Sequence, residues 1–546
     1  GSELTSYTLN WYSDWSANFS TEVRYSISNV DFLQQSVSGP DFGEVQIRAG
    51  DGVTVYLGQD DSRQANDLEW DTDQMVLRGY YNLGDHTITG GFERESIEVY
   101  NLFYQHTDTE MRFNSIDDFE NGLAARVYYG NALSNNELDA AVDWSYDVSS
   151  FYIEDKWQVT NSLLLTFGLR YDYYETDDVP NENGIDLLLP RFGFTWDASD
   201  AVTVRGGIGL FSGGNPNVWY SNVYSNTNTT AVQTQDRGPD RGGVDLFAQN
   251  YVYCEDTAPT CGPGYGVPEN LAAQVAAGDG SNFEIVYLDP DFEAPTEWKY
   301  ALGATWEMGN GYVLSADAQI TRGEDTAIYK HGDLEFTGEF NDFGNGYPIY
   351  DSVRTSSFVL TNSSKGNESE SLSVSLFKAW DFGLDMRLGY AWTDAKDVNP
   401  MTSSVAFSNY VNRTFYDPEE EVLSTSNYNI EHRFTAVLNY STEWFGNNAT
   451  RFTVFAQGNS GYPYSITLEG ADGTIGAYGF TPYLDFVDHV LVEPGTRNQE
   501  EGSSWFKVDL RVSQEFPGFS DGHKGSAFIV VDNLTNLIND DWGIME

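Results

Sequence analysis

Leu163-Leu164-Leu165-Thr166-Phe167-Gly168-Leu169-Arg170-Tyr171-Asp172-Tyr173 alternates with a period of two: its odd positions are all apolar or aromatic, and its even ones from Thr166 onward are small or polar. It is the second of four such segments between Ser149 and Phe211. Ser149 to Val159 sets Phe151, Ile153, Trp157 and Val159 against Tyr152, Glu154, Lys156 and Gln158. Arg191 to Asp197 sets Phe192, Phe194 and Trp196 against Arg191, Gly193, Thr195 and Asp197. Ala201 to Phe211 sets Val202, Val204, Ile208 and Leu210 against Thr203, Arg205, Gly207 and Gly209.

Successive side chains of a strand point to opposite faces, so each segment has one apolar and one polar face. Strands of soluble sandwiches run about five or six residues. These run about ten, the length a tilted strand needs to cross a hydrocarbon core. Aromatic residues gather toward the strand ends, as in Tyr171, Tyr173 and Tyr174 or Trp157 beside Lys156, where a membrane interface places them. The pattern predicts an all-β chain: a large antiparallel transmembrane β-barrel with long extracellular loops.

Composition agrees. Of 546 residues 15% are aromatic and 52 are glycine, while no run of 18 or more apolar residues exists to form a helical span. Acidic residues number 83 against 28 basic, a net charge of -55, which excludes a basic patch for nucleic acid. Two readings of the acidity remain: surface charge suited to a salty environment, or carboxylate clusters in the loops that bind calcium. Cys254 and Cys261, close together in a Gly- and Pro-rich loop, predict one disulfide made in an oxidising compartment. No histidine lies near enough in sequence to make them a metal site.

Weaker strands precede the central unit: Tyr7 to Ser13, Glu22 to Asn29, Gly43 to Ala49, Val53 to Leu57, Gln74 to Tyr81 and His86 to Glu95. Ser96 to Trp144 loosens into an expected ordered loop. Beyond Phe211 come the hairpins Glu297–Met308 with Tyr312–Arg322, Ser371–Trp380 with Phe382–Trp392, Glu431–Glu443 with Arg451–Gly458, and Trp505–Phe516 with Ser526–Val531. The tally is about 18 strands, between porin size and the 22-stranded plugged transporters. Connections alternate short and long. By the barrel rule the turns near Asn161, Ser199, Asn310, Asp381 and Asn447 face the periplasm, and the excursions holding Trp219, Cys254, Tyr347 and Tyr416 face outward. No repeat of propeller length occurs.

Several segments together resemble the barrel of Oar-like TonB-dependent outer-membrane receptors: Tyr56 to Asp60, Arg63 to Asp67, Asn101-Leu102-Phe103, Leu189 to Phe194, Arg205 to Gly214, Pro216 to Asn222 and Val531 to Leu537. The resemblance implies a 22-stranded barrel with an N-terminal plug, coupled through a TonB box to an inner-membrane motor. Neither plug nor TonB box is visible within residues 1–546, all of which read as barrel, so the chain is expected to be truncated at both ends. The implied setting is the outer membrane of a Gram-negative bacterium, among outer-membrane lipid and lipopolysaccharide. The acidity suits a marine or salt-tolerant one.

No catalytic constellation is expected. The six histidines (His86, His106, His331, His432, His489, His523) are scattered and read as polar loop or lumen residues. Acidic runs such as Asp177-Asp178 and Glu419-Glu420-Glu421 are what chance produces in so acidic a chain. Arg205-Gly206-Gly207-Ile208-Gly209 lies inside a strand and opens no helix, so it is not a phosphate loop; its small residues are expected to leave room on the lumen side. Trp219, Tyr220 and Tyr224 open the longest loop and are the candidate contacts for an extracellular ligand, their alternative role being to pack that loop on the barrel rim. The expected function is ligand binding at the outer loops and passage across the outer membrane, with TonB as partner. The alternative is a non-transporting structural or adhesive barrel with calcium-binding loops.

Overall fold

A computed structural model describes residues 1–546 except 35, 37–41, 51, 177–184, 214–216, 226–230, 255–260, 280–284, 341–345, 353–356, 412, 469–489, 521 and 540–546. Seventeen strands form one sheet, one of them only the two-residue Ser424–Thr425, which leaves sixteen long strands. In chain order these are β1 (Ser2–Ser16), β2 (Phe19–Leu33), β3 (Ala65–Leu83), β4 (His86–Tyr104), β5 (Val142–Thr160), β6 (Leu163–Thr176), β7 (Ile185–Ser199) and β8 (Val202–Ser212). The second half comprises β9 (Thr296–Met308), β10 (Tyr312–Glu324), β11 (Glu368–Ala379), β12 (Leu384–Asp397), β13 (His432–Thr442), β14 (Thr450–Asn459), β15 (Trp505–Pro517) and β16 (Lys524–Val531).

Each strand pairs antiparallel with the next, from β1–β2 to β15–β16. Among the described residues no ladder joins β16 to β1. Register carries the apolar face from strand to strand: Phe151 opposes Tyr171, Phe167 opposes Phe192, which opposes Ile208, which opposes Tyr300. That band is exposed, with Ile153 at 56% and Leu302 at 58% of full accessibility, as a lipid-facing wall requires. Among the described residues no helix is long and apolar enough to cross a membrane; the strands do the crossing.

Of the 18 segments read as strands from the sequence, sixteen lie in this sheet and two do not. Glu44–Gly50 and Val53–Leu57 do form a hairpin, but they belong to a second, five-stranded sheet with Glu110–Phe113, Arg126–Ala132 and Ala231–Asp236. Their alternation is real; the layer it packs against is helix Glu269–Ala276, which buries Leu271, Ala272 and Val275 beside Val45, Val127 and Tyr129. Asn101 to Tyr104, expected in a loop, are the end of β4.

β3 and β4 have 19 residues each, which at about 3.3 Å per residue reach about 60 Å, twice the ~30 Å hydrocarbon core. The surplus carries Asp67, Glu69, Asp71, Asp73, Glu95 and Glu98 and needs no apolar face, so its periodicity is lost while its strand pairing continues.

The short connections (17–18, 84–85, 161–162, 200–201, 309–311, 380–383, 443–449, 518–523) lie at one end of the sheet, and the described residues of 34–64, 105–141, 213–295, 325–367, 398–431 and 460–504 at the other. The long ones fold into a cap. Its main apolar cluster gathers Trp144, Tyr146, Tyr220, Val286, Phe292, Tyr329, Tyr347, Phe358, Tyr410 and Val490 from the strand tops and four of those connections.

Candidate functional site

The polar face of the strands is one connected wall on β2 to β6. Arg78 bridges Glu22 at 3.4 Å and Glu93 at 3.2 Å; Arg170 bridges Glu93 at 3.0 Å and Asp172 at 2.7 Å and donates to Ser150 Oγ at 2.7 Å. Tyr152 lies over Gly91, its cross-strand partner, and accepts from Arg78 Nε at 2.7 Å. A side chain at Gly91 would meet that ring at 2.4 Å, so only glycine lets Tyr152 lie across the sheet. Further round, Arg191 covers the Phe211 ring at 4.5 Å, Arg205 pairs with Asp317, and Arg511 covers Phe528 at 4.7 Å. On β2 to β6 Arg78 and Arg170 each meet carboxylates, so that part of the wall suits water and polar solutes.

The glycine stretch of β8 divides between faces. Gly207 is packed on the Phe192 carbonyl and Gly209 on Arg191 on the polar side, whereas Gly206 lies under the Phe194 ring on the apolar side.

At the mouth, Trp219, Tyr220 and Tyr224 fall on helix Asn217–Ser225. Tyr220 is 2% exposed and packs edge-on against Phe292; burial pushes its hydroxyl pKa well up. Tyr224 stacks on Trp144 at the top of β5, centroids 5.1 Å apart, and the Trp219 carbonyl accepts from Tyr329. Asn222 on the same helix donates to the Ser404 carbonyl at 2.5 Å, tying it to connection 398–431. The helix therefore sits between strand tops and cap, with Val218 exposed.

Cys254 and Cys261 form a disulfide with Cα atoms 5.3 Å apart. Glu421 is another loop tie: Lys330 pairs with it and Ser363 Oγ donates to it at 2.9 Å. Burial alone would raise this carboxyl, but Lys330, Ser364 and Ser363 outweigh burial and hold it down at about 2 against an ordinary 4.5. A depressed folded-state pKa stabilises above the unfolded value and is lost as pH falls from about 4.5 toward about 2. Connections 325–367 and 398–431 are thus expected to loosen across that window, read as faster hydrogen exchange around Ser364. Glu421→Gln should exchange fast already at neutral pH; equal rates in variant and parent would refute the tie.

The histidines do not all behave as polar loop or lumen residues. His86 stacks on Trp157 at the short-turn end and contacts Asp155 at 2.8 Å. His106 and His331 are buried in the cap, at 7% and 6% exposure, because the loops have a core of their own. His432 meets the Tyr390 hydroxyl at 3.0 Å, and His523 lies in the last turn. His489 and Asp177-Asp178 lie outside the described residues.

Three acidic groups bring ligand atoms within 4.8 Å of one another: Asp31, Asp67 and Glu69; Glu44, Asp60 and Asp61; and Asp61, His106 and Glu110. Sequence reading did not single these out, because each assembles residues from separate elements with no shared spacing. The lumen ladder escaped similarly: its polar positions were visible, but which arginine meets which carboxylate depends on register.

A family model described as an outer membrane beta barrel domain matches residues 5–187 and 177–509. Among solved structures the chain resembles the outer membrane transporter YddB from Escherichia coli (TM-score 0.59, 13% identity, 98% of this chain and 59% of that one). It also resembles the siderophore receptor PirA from Acinetobacter baumannii (0.52, 12%, 98% and 58%) and the FrpB iron transporter from Neisseria meningitidis (0.51, 10%, 98% and 60%). The chain thus spans under two thirds of the length of each of these, and at such identities the likeness is one of fold. No curated protein sequence matches it. With the family model covering most of the sheet and cap, this chain belongs to the outer membrane β-barrel domain family.

Proposed function

We propose that this chain is the barrel of a TonB-dependent receptor that captures a ligand at its cap and passes it through the polar lumen. The observation that carries the reading is one-sidedness: among the described residues the long connections fold into a cap at one end, above the charged inner wall. A structural barrel has no need of an inner wall suited to polar solutes beneath a folded cap. Ligand binding outside would bias a plug, and TonB would supply the work that opens the path. The Oar-like resemblance supports TonB coupling, and the similar transporter and receptor structures support the cargo class to try first, metal chelates.

The test is uptake by cells expressing the full reading frame, with and without TonB, using radiolabelled ferric siderophores as probe. Surface binding in both strains with accumulation only in the TonB-containing one is expected; accumulation in neither, despite binding, would sink the transport reading. We assign ligand contact to the helix bearing Trp219, Tyr220 and Tyr224, with Tyr220 as its buried anchor. Once a probe binds, Trp219→Ala with Tyr224→Ala should weaken it about tenfold, ~1.4 kcal/mol. Unchanged affinity would leave the helix a packing element.

A further inference from the structure

Where the cap meets the tops of β3 and β4, four acidic side chains and one histidine converge from two different connections. Asp61 starts the turn Asp61–Arg63, and Glu44 starts a strand of the small sheet, both in connection 34–64. His106 and Glu110 come from connection 105–141, and Glu110 lies in parallel register beside Glu44. The Glu110 side chain is fully buried and that of His106 is 9% exposed. The imidazole stacks on Tyr128, centroids 4.9 Å apart, which fixes the direction of its Nδ1 edge.

That edge points into the carboxylates. Nδ1 lies 3.5 Å from Asp61 Oδ2 and 3.4 Å from Glu110 Oε2, and it is a buried atom with no hydrogen-bond partner. These separations are longer than ordinary nitrogen–oxygen hydrogen bonds of about 2.7–3.2 Å. They equal the edge of a coordination tetrahedron, since two ligand atoms each about 2.1 Å from a tetrahedral ion stand about 3.4 Å apart. We propose that Asp61, His106 and Glu110 form a binding site for a divalent transition ion of the zinc type, with Glu44 beside Asp61 as the nearest further carboxylate.

Charge points the same way. Among the described residues Glu44, Asp60, Asp61 and Glu110 gather beside Arg112, which pairs with both Glu110 oxygens, donating to Oε2 at 3.2 Å, and rests over the Tyr128 ring at 4.8 Å. Asp61 N–H donates to Glu44 at 2.6 Å, and Gln46 donates to its other oxygen at 2.7 Å, but neither donor carries charge. A divalent cation compensates the carboxylates and gives Nδ1 its missing partner in one step. An imidazole in the donor set selects a zinc-like ion over calcium, which takes six to eight oxygens at about 2.3–2.6 Å. Bound there, the ion would staple connection 34–64 to connection 105–141, holding the small sheet on the strand tops. The Asp31, Asp67 and Glu69 group also holds a buried unpartnered atom, Asp67 Oδ1, but it offers oxygens alone and its Asp31 and Glu69 are exposed, so it serves as the control.

The experiment is calorimetric titration of the full chain in detergent, stripped with chelator, with Zn²⁺ alone, followed by Co²⁺ absorption to report tetrahedral ligation. Saturable Zn²⁺ binding is expected, with a tetrahedral Co²⁺ spectrum, weakened at least about tenfold in Asp61→Asn and in His106→Ala and unchanged in Asp67→Asn. Asp61→Asn keeps side-chain shape, so it reads the site even if His106→Ala disturbs packing. The proposal is overturned by absence of saturable binding, by equal affinity in Asp61→Asn and the parent, or by Ca²⁺ displacing Zn²⁺ at comparable concentration.

Discussion

Replacing Arg497 with alanine is expected to cost the cap about 3–5 kcal/mol, the usual penalty for leaving one partner of a buried ion pair alone. The Arg497 and Asp397 side chains are 4% and 9% exposed, and Nη2 donates at 2.6 Å both to the Asp397 carboxylate and to its carbonyl. Nη1 donates to the Val398 carbonyl, and the Ser424 carbonyl lies 3.5 Å from Nη2. One guanidinium therefore joins connection 460–504 to the top of β12 and to Ser424–Thr425, which pairs with Lys396 and Asp397. Next to it Asn498 donates to the Thr425 carbonyl at 2.7 Å. Arg497→Lys should fail nearly as badly, because a point-like ammonium cannot serve several carbonyls held in a fork. The readout is limited proteolysis of the cap in detergent micelles, since local opening need not unfold the barrel. Arg497→Met combined with Asp397→Leu should recover much of the loss, as paired apolar replacement removes both buried charges. Proteolysis of Arg497→Ala at the parent rate would show that the pair does not hold the cap.

Leu302→Arg and Ala301→Arg, adjacent on β9, are expected to differ sharply. Leu302 is the middle residue of a 13-residue strand and lies on the apolar face opposite Gly206 and Ala318; Ala301 faces the polar side opposite Gly207 and Gln319. Arginine on the lipid face near the bilayer midplane costs about 2–4 kcal/mol, while lumen positions meet water. Urea titration of folding into phospholipid vesicles should therefore show a loss of that size for Leu302→Arg and less than about 1 kcal/mol for Ala301→Arg. Equal losses would mean that the two faces do not meet lipid and water.

The two effects act on different parts of the molecule. The barrel is held by ladder hydrogen bonds and a lipid-facing band, the cap by its own apolar clusters and by buried pairs such as Arg497–Asp397. A substitution in the cap can loosen its loops with the barrel intact, so cap order and folding need separate readouts.

By itself the sequence determined the membrane-spanning part: strands such as Leu163 to Tyr173 must show lipid one face and water the other, and that demand writes a period of two into the chain. It also determined the sidedness of the connections, because their length is visible without structure. Tertiary structure alone decided that Glu44–Gly50 and Val53–Leu57 leave the barrel, since a hairpin packed on a helix alternates as one facing lipid does. Only register decided that Arg78 and Arg170 share Glu93 across neighbouring strands. The cap was least legible. Its contacts, Arg497 with Asp397 and His106 with Asp61, join residues 100 and 45 positions apart, and no local pattern encodes which loop folds onto which.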